Sequence, residues 1–484
     1  MQVRILSRRY SRSRSAYARR WMTRSILLSP SPNPRTIVRP TAVRGTGLRR
    51  TVERAIVAVA ASLAWITAAA AGMEAAAKPL SADAQLERAI ALVRRGASTS
   101  AIGEIDLLIQ RFPNFRLAHL VRGDLLLARA HPISGLGNAA EGAGAHPIAG
   151  LGNGTHAARE RLEELRAEAR VRVRAGRDAP PADRVPRYLL RLDARQTSAI
   201  VIDAERSRVY VYAMEGGVPR LARDFYASIG KLGIGKERES DKKTPIGAYY
   251  VTSWLPGKRL PDLYGSGAYP IDYPNARDRL LGRTGYGIWI HGVPSDTYAR
   301  APRASDGCVA LANPDLEALA AYVRPGATPV VIARQVEWVA ADELRADRDA
   351  FLAALEAWRR DWESNDVERY LAHYAQDFRA SDRDLAGWKA HKRRVSAGKS
   401  WIKVSLGNLS VFRDPGAKDL VSVTFDQDYR SSNLSQRTRK RQYWAREGAN
   451  WKIVYEAPVQ APVLVLPESY PASKRAEAPD ANRP

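Results

Sequence analysis

From about residue 189 the chain breaks into short runs of β-branched and aromatic residues punctuated by Gly, Pro and Asp, a pattern that cannot build a helical core. TSAIVID (197–203) and RVYVYAM (208–214) are joined by AERS and read as a hairpin. RDFYASIG, GAYYVTSW, GYGIWIHG, CVAL and PVVIA follow, each separated from the next by turn residues. Many short strands with little helix predict a mainly-β sandwich or barrel over 189–335.

A chain of 484 residues is too long for one core, and the flanks of this segment read differently. Residues 84–128 have helical periodicity: Ile102, Ile105, Leu108, Ile109 and Phe112 line one face, Pro113 ends that helix, and Leu117, Leu120, Val121 and Leu125 begin another. The pair loosely resembles a tetratricopeptide hairpin. A duplicated segment follows, AHPISGLGN (130–138) and AHPIAGLGN (145–153), whose Gly and Pro content predicts a loop. His131 and His146 therefore recur by duplication rather than as ligands. A charged helix is expected over 156–174 and a proline-containing linker over 176–186. This helical region, 78–185, is expected to serve homo-oligomerisation or positioning. Downstream, 344–380 predicts two helical runs, with Phe351, Leu355, Trp358 and Trp362 on the first and Tyr370, Tyr374 and Phe378 on the second. Strand-like segments then occupy 401–412, 419–432, 437–447 and 450–458, and a Pro/Ala-rich tail over 459–484 is expected to be disordered. The architecture expected is multidomain: a helical N-terminal region, a mainly-β middle and an α+β C-terminal domain at 344–458.

Residues 1–77 read as an address. Residues 1–54 hold fourteen Arg and one Glu, and the uncharged run AIVAVAASLAWITAAAA (55–71) leads to small residues including Ala75 and Ala77. A basic stretch, an apolar stretch and a small-residue site in that order predict an exported protein, with an uncleaved membrane anchor as the alternative. The expected location is the periplasm or cell envelope. A net charge of +25 first suggests nucleic acid, but no helix-turn-helix, zinc-finger or aromatic RNA-binding signature accompanies it, so no nucleic-acid partner is expected.

The only cysteine, Cys308, lies in ASDGCVAL (304–311). A lone thiol excludes an internal disulfide and any zinc site built on several thiolates, and no histidine pair has HExxH spacing; no metal and no cofactor are expected. GKLGIGK (230–236) fits the start of a phosphate-binding loop, but Glu237 and a charged stretch follow where Ser or Thr and a helix are needed. Alternation along IWIHG (288–292) puts Ile288 and Ile290 on one face and Trp289 and His291 on the other. In GCVAL the same rule puts Val309 and Leu311 inward, and Cys308 with Ala310 on the accessible side. A thiol needs a base to become a nucleophile at neutral pH, and His291 is the candidate. Backbone N–H groups at Gly307 and Cys308 would cradle an oxyanion. Either Ser305 or a backbone carbonyl would orient the imidazole. The residues alone also allow a small buried cysteine beside an incidental histidine.

His291–Gly292, then Ser305-Asp306-Gly307-Cys308-Val309-Ala310-Leu311, resembles the catalytic signature of the L,D-transpeptidase (YkuD) family. SIGK (228–231), TPIGAY (244–249), YGSGAYPIDYPN (264–275) and GYGIWIHGVP (285–294) resemble its flanking segments. The resemblance implies a β-sandwich acyltransferase of peptidoglycan. Cys308 would attack the stem tetrapeptide at the diamino acid's L-centre and expel the terminal D-Ala. An amine acceptor then gives a 3–3 cross-link or attachment; water gives a trimmed stem, which is carboxypeptidase or endopeptidase activity. By the same resemblance Gly292, Trp289, Tyr264 and Tyr269 would contact substrate. Two positions depart from the family's commonest pattern: Asp306 stands before the Gly-Cys pair, and Ala310 stands where an Arg is usual. Arg300 or Arg303 would supply the missing cation, and the SDGC variant resembles hydrolytic relatives. The C-terminal segment looks like the nuclear-transport-factor-2-like (SnoaL-like) cone, with His373 and His391 as structural or surface residues. The three parts together resemble L,D-carboxypeptidases that shape helical cells. A non-catalytic wall-binding protein is the reading from a different class.

Overall fold

A computed structural model describes residues 80–130, 156–175, 179–380 and 382–459. The expected export signal, the duplicated Gly-rich segment and all but the first residue of the tail lie outside them. Among the described residues no helix is long and apolar enough to cross a membrane.

The helical region is built from α1 (Ala82–Arg94), α2 (Ser98–Arg111), α3 (Arg116–Ala130) and α4 (His156–Ala175). Ser81 caps α1 by accepting from the Ala84 amide at 3.2 Å. Gly96 ends it: with φ +76°, it lets its own amide and that of Ala97 fold back onto the carbonyls of Val93 and Leu92. Leu86, Ala89, Ile102, Ile105, Leu108, Leu117, Val121 and Leu125 form the core of the bundle, so the apolar spacing read from the sequence is the buried face.

Fourteen strands follow before the next long helix: β1 (Arg184–Pro186), β2 (Leu189–Arg191), β3 (Ser198–Asp203), β4 (Arg208–Glu215), β5 (Val218–Tyr226), β6 (Ile229–Gly230), β7 (Gly247–Tyr250), β8 (Leu255–Pro256), β9 (Gly267–Pro270), β10 (Trp289–His291), β11 (Arg303–Ser305), β12 (Val309–Ala310), β13 (Pro329–Ala333) and β14 (Trp338–Ala340). Two short helices interrupt them, α5 (Ala276–Leu280) and α6 (Asn313–Leu319). One sheet has the order β5-β4-β3-β13-β7 and another β12-β10-β9-β8. Ile200, Ile202, Val209, Val211, Tyr249, Ile290, Val309, Leu311, Val330 and Ile332 fill the space between them, which makes the sandwich expected from the alternating pattern.

The C-terminal part contains α7 (Ala341–Glu363), α8 (Val367–Leu371), β15 (Tyr374–Ala380), α9 (Leu385–Ala397), β16 (Ile402–Arg413), β17 (Leu420–Ser431), β18 (Leu434–Glu447) and β19 (Asn450–Pro458). Its sheet runs β15-β19-β18-β17-β16-β2 and closes over the helices around Phe351, Trp358, Trp362, Phe425 and Trp444. Tyr374 and Phe378 lie on strand β15, not on the second helix expected there. Residues four apart share a face in both conformations, and pairing of β15 with β19 decides the matter.

The chain just ahead of the sandwich contributes to two sheets. β1 pairs with β14, and β2 adds to β16 at the edge of the C-terminal sheet. Tyr188, Leu189, Val201, Tyr210, Tyr212, Val331 and Phe412 then form one apolar cluster that joins the outer face of the sandwich to that sheet.

Candidate active site

Strands β10 and β12 run parallel, with Ile290 opposite Val309 and His291 opposite Ala310. Alternation sends Ile290, Val309 and Leu311 into the sandwich core, while Trp289 and the half-buried Cys308 pack against Leu255, Leu260, Tyr264 and Ala268 on the other face. His291 and Cys308 therefore come to the same side of neighbouring strands. That side is less open than expected: Trp289 is 1% and His291 2% exposed. The cover is Tyr264, whose ring lies 4.9 Å from Trp289 and meets the His291 ring edge-on at 5.1 Å.

Gly292 admits its neighbours closely. A Cβ there would lie 2.1 Å from Asn313 Oδ1. That oxygen accepts from the Ser266 and Val293 amides at 2.9 and 3.2 Å, while Asn313 Nδ2 donates to the Val293 carbonyl at 2.8 Å. Asn313 thus staples the turn after His291 to the Tyr264 segment. Its position at the start of α6 gave no sign of that in the sequence.

The Nδ1 of His291 lies 2.6 Å from the Gly292 carbonyl oxygen. A carbonyl only accepts, so Nδ1 carries the proton and Nε2 is left as the basic nitrogen of the neutral ring. Burial lowers the imidazole to about 4, against the opposing pull of the Gly292 carbonyl. Burial likewise pushes the Cys308 thiol up to about 11, against the Trp289 N–H that favours the thiolate. Among the described residues the thiol's hydrogen bond goes to the Gly287 carbonyl at 3.4 Å, not to the imidazole. The pair rests neutral.

Ser305 does not orient His291. Its hydroxyl donates to the Cys308 carbonyl at 2.6 Å and accepts from the Gly307 amide at 3.2 Å, so it shapes the turn that presents the thiol. The orienting contact is the Gly292 carbonyl. The Gly307 N–H, expected as an oxyanion donor, donates to the Ser305 hydroxyl instead; the Cys308 N–H has no acceptor among the described residues. Gly307 has φ +124° and a Cβ on it would lie 2.9 Å from the Lys243 carbonyl, so the glycine is required for the turn. Thr244 holds the same turn, donating to the Gly307 carbonyl at 2.9 Å and accepting from the Gly230 amide at 2.9 Å. The GKLGIGK segment thus frames the turn, and its Lys236 is turned inward to Asp241 at 2.8 Å.

Tyr269 is buried, its ring tilted against that of the exposed Trp254 at 4.5 Å, and lies in the sandwich core rather than beside the thiol. Arg303 is exposed on β11 and Arg300 is half-buried, both on the segment joining His291 to Cys308. The Tyr226 hydroxyl donates to the Arg300 carbonyl at 2.8 Å. Asp306 is exposed and pairs with Lys231 at 3.6 Å. No group of His, Cys, Asp and Glu side chains among the described residues could hold a metal ion.

Residues 197–332 match the model of the L,D-transpeptidase catalytic domain (YkuD), and residues 350–457 match that of the Cds6 C-terminal NTF2-like domain. The chain is similar to Bd1075 of Bdellovibrio bacteriovorus, at 29% identity and a TM-score of 0.51 over 58% of this chain and 99% of that one. It is also similar to the helical cell shape determining protein Pgp2 of Campylobacter jejuni, at 24% identity and a TM-score of 0.48 over 60% and 98% of the two chains. No curated protein matches it. The chain therefore carries a YkuD L,D-transpeptidase catalytic domain followed by an NTF2-like domain, the make-up of an enzyme acting on peptidoglycan.

Proposed function

We propose that the protein is a cysteine acyltransferase of the cell envelope that forms a thioester between Cys308 and a peptidoglycan stem tetrapeptide. The observation that carries this reading is the shared face of His291 and Cys308 on parallel neighbouring strands, with Nδ1 fixed on the Gly292 carbonyl and Nε2 left basic. In the first step Sγ bonds to the carbonyl carbon at the diamino acid's L-centre, and the thiol proton passes to Nε2. The oxyanion that forms is met by the Cys308 N–H. The C–N bond then breaks, the proton moves from Nε2 to the departing D-Ala amine, and a thioester remains. In the second step an amine, or water, attacks the thioester while Nε2 takes its proton, and the thiolate is reprotonated as it leaves.

Because both groups rest neutral, proton transfer accompanies attack instead of preceding it. Transfer to an amine of a second stem, giving a 3–3 cross-link, is the reading favoured by the domain's family. Hydrolysis to a tripeptide is the second reading. It is favoured by the small, buried Ala310 beside His291, which supplies no cation at that position, and by the Asp306–Lys231 pair beside the thiol.

Incubation with disaccharide-tetrapeptide and mass analysis of the products tests the proposal. Cross-linked dimers support transfer and tripeptides support trimming. Unchanged substrate, or full function in Cys308→Ala, sinks the enzymatic reading in favour of a wall-binding protein.

A further inference from the structure

The segment that joins His291 to Cys308 is not held by the sandwich alone. Its Tyr298 is 4% exposed and belongs to the core of the helical bundle, as does Ala312 just past the thiol. The grip comes from the turn at 112–115, between α2 and α3. The Phe112 and Phe115 rings lie 4.8 and 4.4 Å from the Tyr298 ring. The Tyr298 amide donates to the Asn114 carbonyl at 3.3 Å, and Asn114 Nδ2 donates to the Ser295 carbonyl at 3.2 Å. Two residues past Tyr298, the Arg300 carbonyl accepts from the Tyr226 hydroxyl at 2.8 Å. The Arg172 guanidinium of α4 lies over both the Phe115 and the Tyr226 rings, at 5.1 and 3.9 Å, so one cation braces the two grips.

What these contacts fix is Arg300. Between β10 and β11 the segment has no helix or strand of its own, so tertiary contacts set its course. The Arg300 side chain is half-buried and forms no ion pair among the described residues, so no carboxylate neutralises it. Burial is the largest influence on both reacting groups; beyond it, the Arg300 charge disfavours an imidazolium at His291 and favours a thiolate at Cys308. Lys236 adds to the effect at the thiol and Asp306 opposes it. A positive charge held in place favours the negative charge that develops during attack, and one free to wander does so less.

Resting on the catalytic reading above, we propose that the bundle's turn at 112–115 is a positioning element for the reaction: by gripping Tyr298 it fixes Arg300, whose positive charge then serves the anion that grows at Cys308. Phe112, Asn114 and Phe115 act through Tyr298, and Tyr298 acts through Arg300; none of the four touches the reacting atoms. The helical region is then part of the catalytic apparatus, not an appendage to it.

Cys308 is the only thiol, so alkylation of the full-length protein reads it without interference. The test compares iodoacetate, which carries a carboxylate, with neutral iodoacetamide and takes the ratio of the two rates. A fixed cation near the thiol raises that ratio, and loss of one such charge lowers it about fivefold. Arg300→Gln should show that drop. Tyr298→Leu should reproduce most of it with Arg300 still present, and should add nothing in the Arg300→Gln background. Tyr226→Phe/Asn114→Ala removes only two hydrogen bonds to the segment; it should give an intermediate ratio, and it decides the matter if Tyr298→Leu does not fold. In the same variants kcat for D-Ala release from disaccharide-tetrapeptide should fall in the order of the ratios, with KM changed less. A merely structural role for the bundle would speed or slow both reagents alike. An unchanged ratio in the folded variants therefore overturns the proposal, as does an unchanged ratio in Arg300→Gln. Shifted ratios without any D-Ala release would overturn the catalytic reading and leave the grip on Arg300 standing.

Discussion

Thr244 and Gly307 stand 63 residues apart and are joined by a 2.9 Å hydrogen bond from hydroxyl to carbonyl. The same hydroxyl accepts from the Gly230 amide, so one fully buried side chain ties two turns together. Thr244→Val keeps the shape and leaves a buried carbonyl and a buried amide unsatisfied. The expected cost is about 2 kcal/mol in a denaturant or thermal melt. Thioester formation should slow more than the loss of folded protein accounts for, because the turn presenting Cys308 is released.

Alkylation reports the resting state of the thiol. With Cys308 near 11, a neutral haloacetamide should react slowly at pH 7 and faster as pH rises toward 11. His291→Gln should change that profile little, since no imidazolium stabilises the thiolate. A profile already flat above pH 6, collapsing in His291→Gln, would reveal an ion pair instead.

The same burial links stability to pH. His291 binds a proton near 6.5 when unfolded but only near 4 when folded, so stability is present above 6.5 and is lost as pH falls toward 4. The loss amounts to about 3 kcal/mol at most. For Cys308 the sign is opposite: stability is lost as pH rises from 9 toward 11. Urea melts should show a shallower acid slope in His291→Gln and a shallower alkaline slope in Cys308→Ala.

Arg172 links the bundle to the site. It pairs with Asp83 and, at 2.8 Å, with Glu168, and it lies 3.9 Å over the Tyr226 ring whose hydroxyl holds the Arg300 carbonyl. Arg172→Met strands the buried Glu168 carboxylate and should cost about 3 kcal/mol or more. Adding Glu168→Gln should restore part of the lost melting temperature. No restoration would mean that the arginine's stem, not its charge, matters.

The alternation in IWIHG and GCVAL was enough to place His291 and Cys308 on one face, because a strand's side-chain period is fixed by the backbone. It did not foretell the lid: Tyr264 reaches Trp289 and His291 from a separate turn, and no local pattern encodes that contact. Of the two orienting groups the sequence offers, a backbone carbonyl, that of Gly292, meets the ring, while the Ser305 hydroxyl, three residues before the Cys308 carbonyl, closes a local turn more readily than it reaches across to a ring. The helix expected at Tyr374 failed for want of a pattern able to separate the two periods. The pairing of Leu189 with Phe412 spans more than two hundred residues and could be found only in three dimensions.

That pairing has a consequence for anyone dividing the gene. The strand that closes the NTF2-like sheet is encoded ahead of the catalytic portion, so a fragment ending near Ala340 would keep Leu189 without its mate and bare the Tyr250 ring on which Phe412 packs. The two halves were not assembled like beads on a string, and neither can be expressed alone without uncovering a sticky flank.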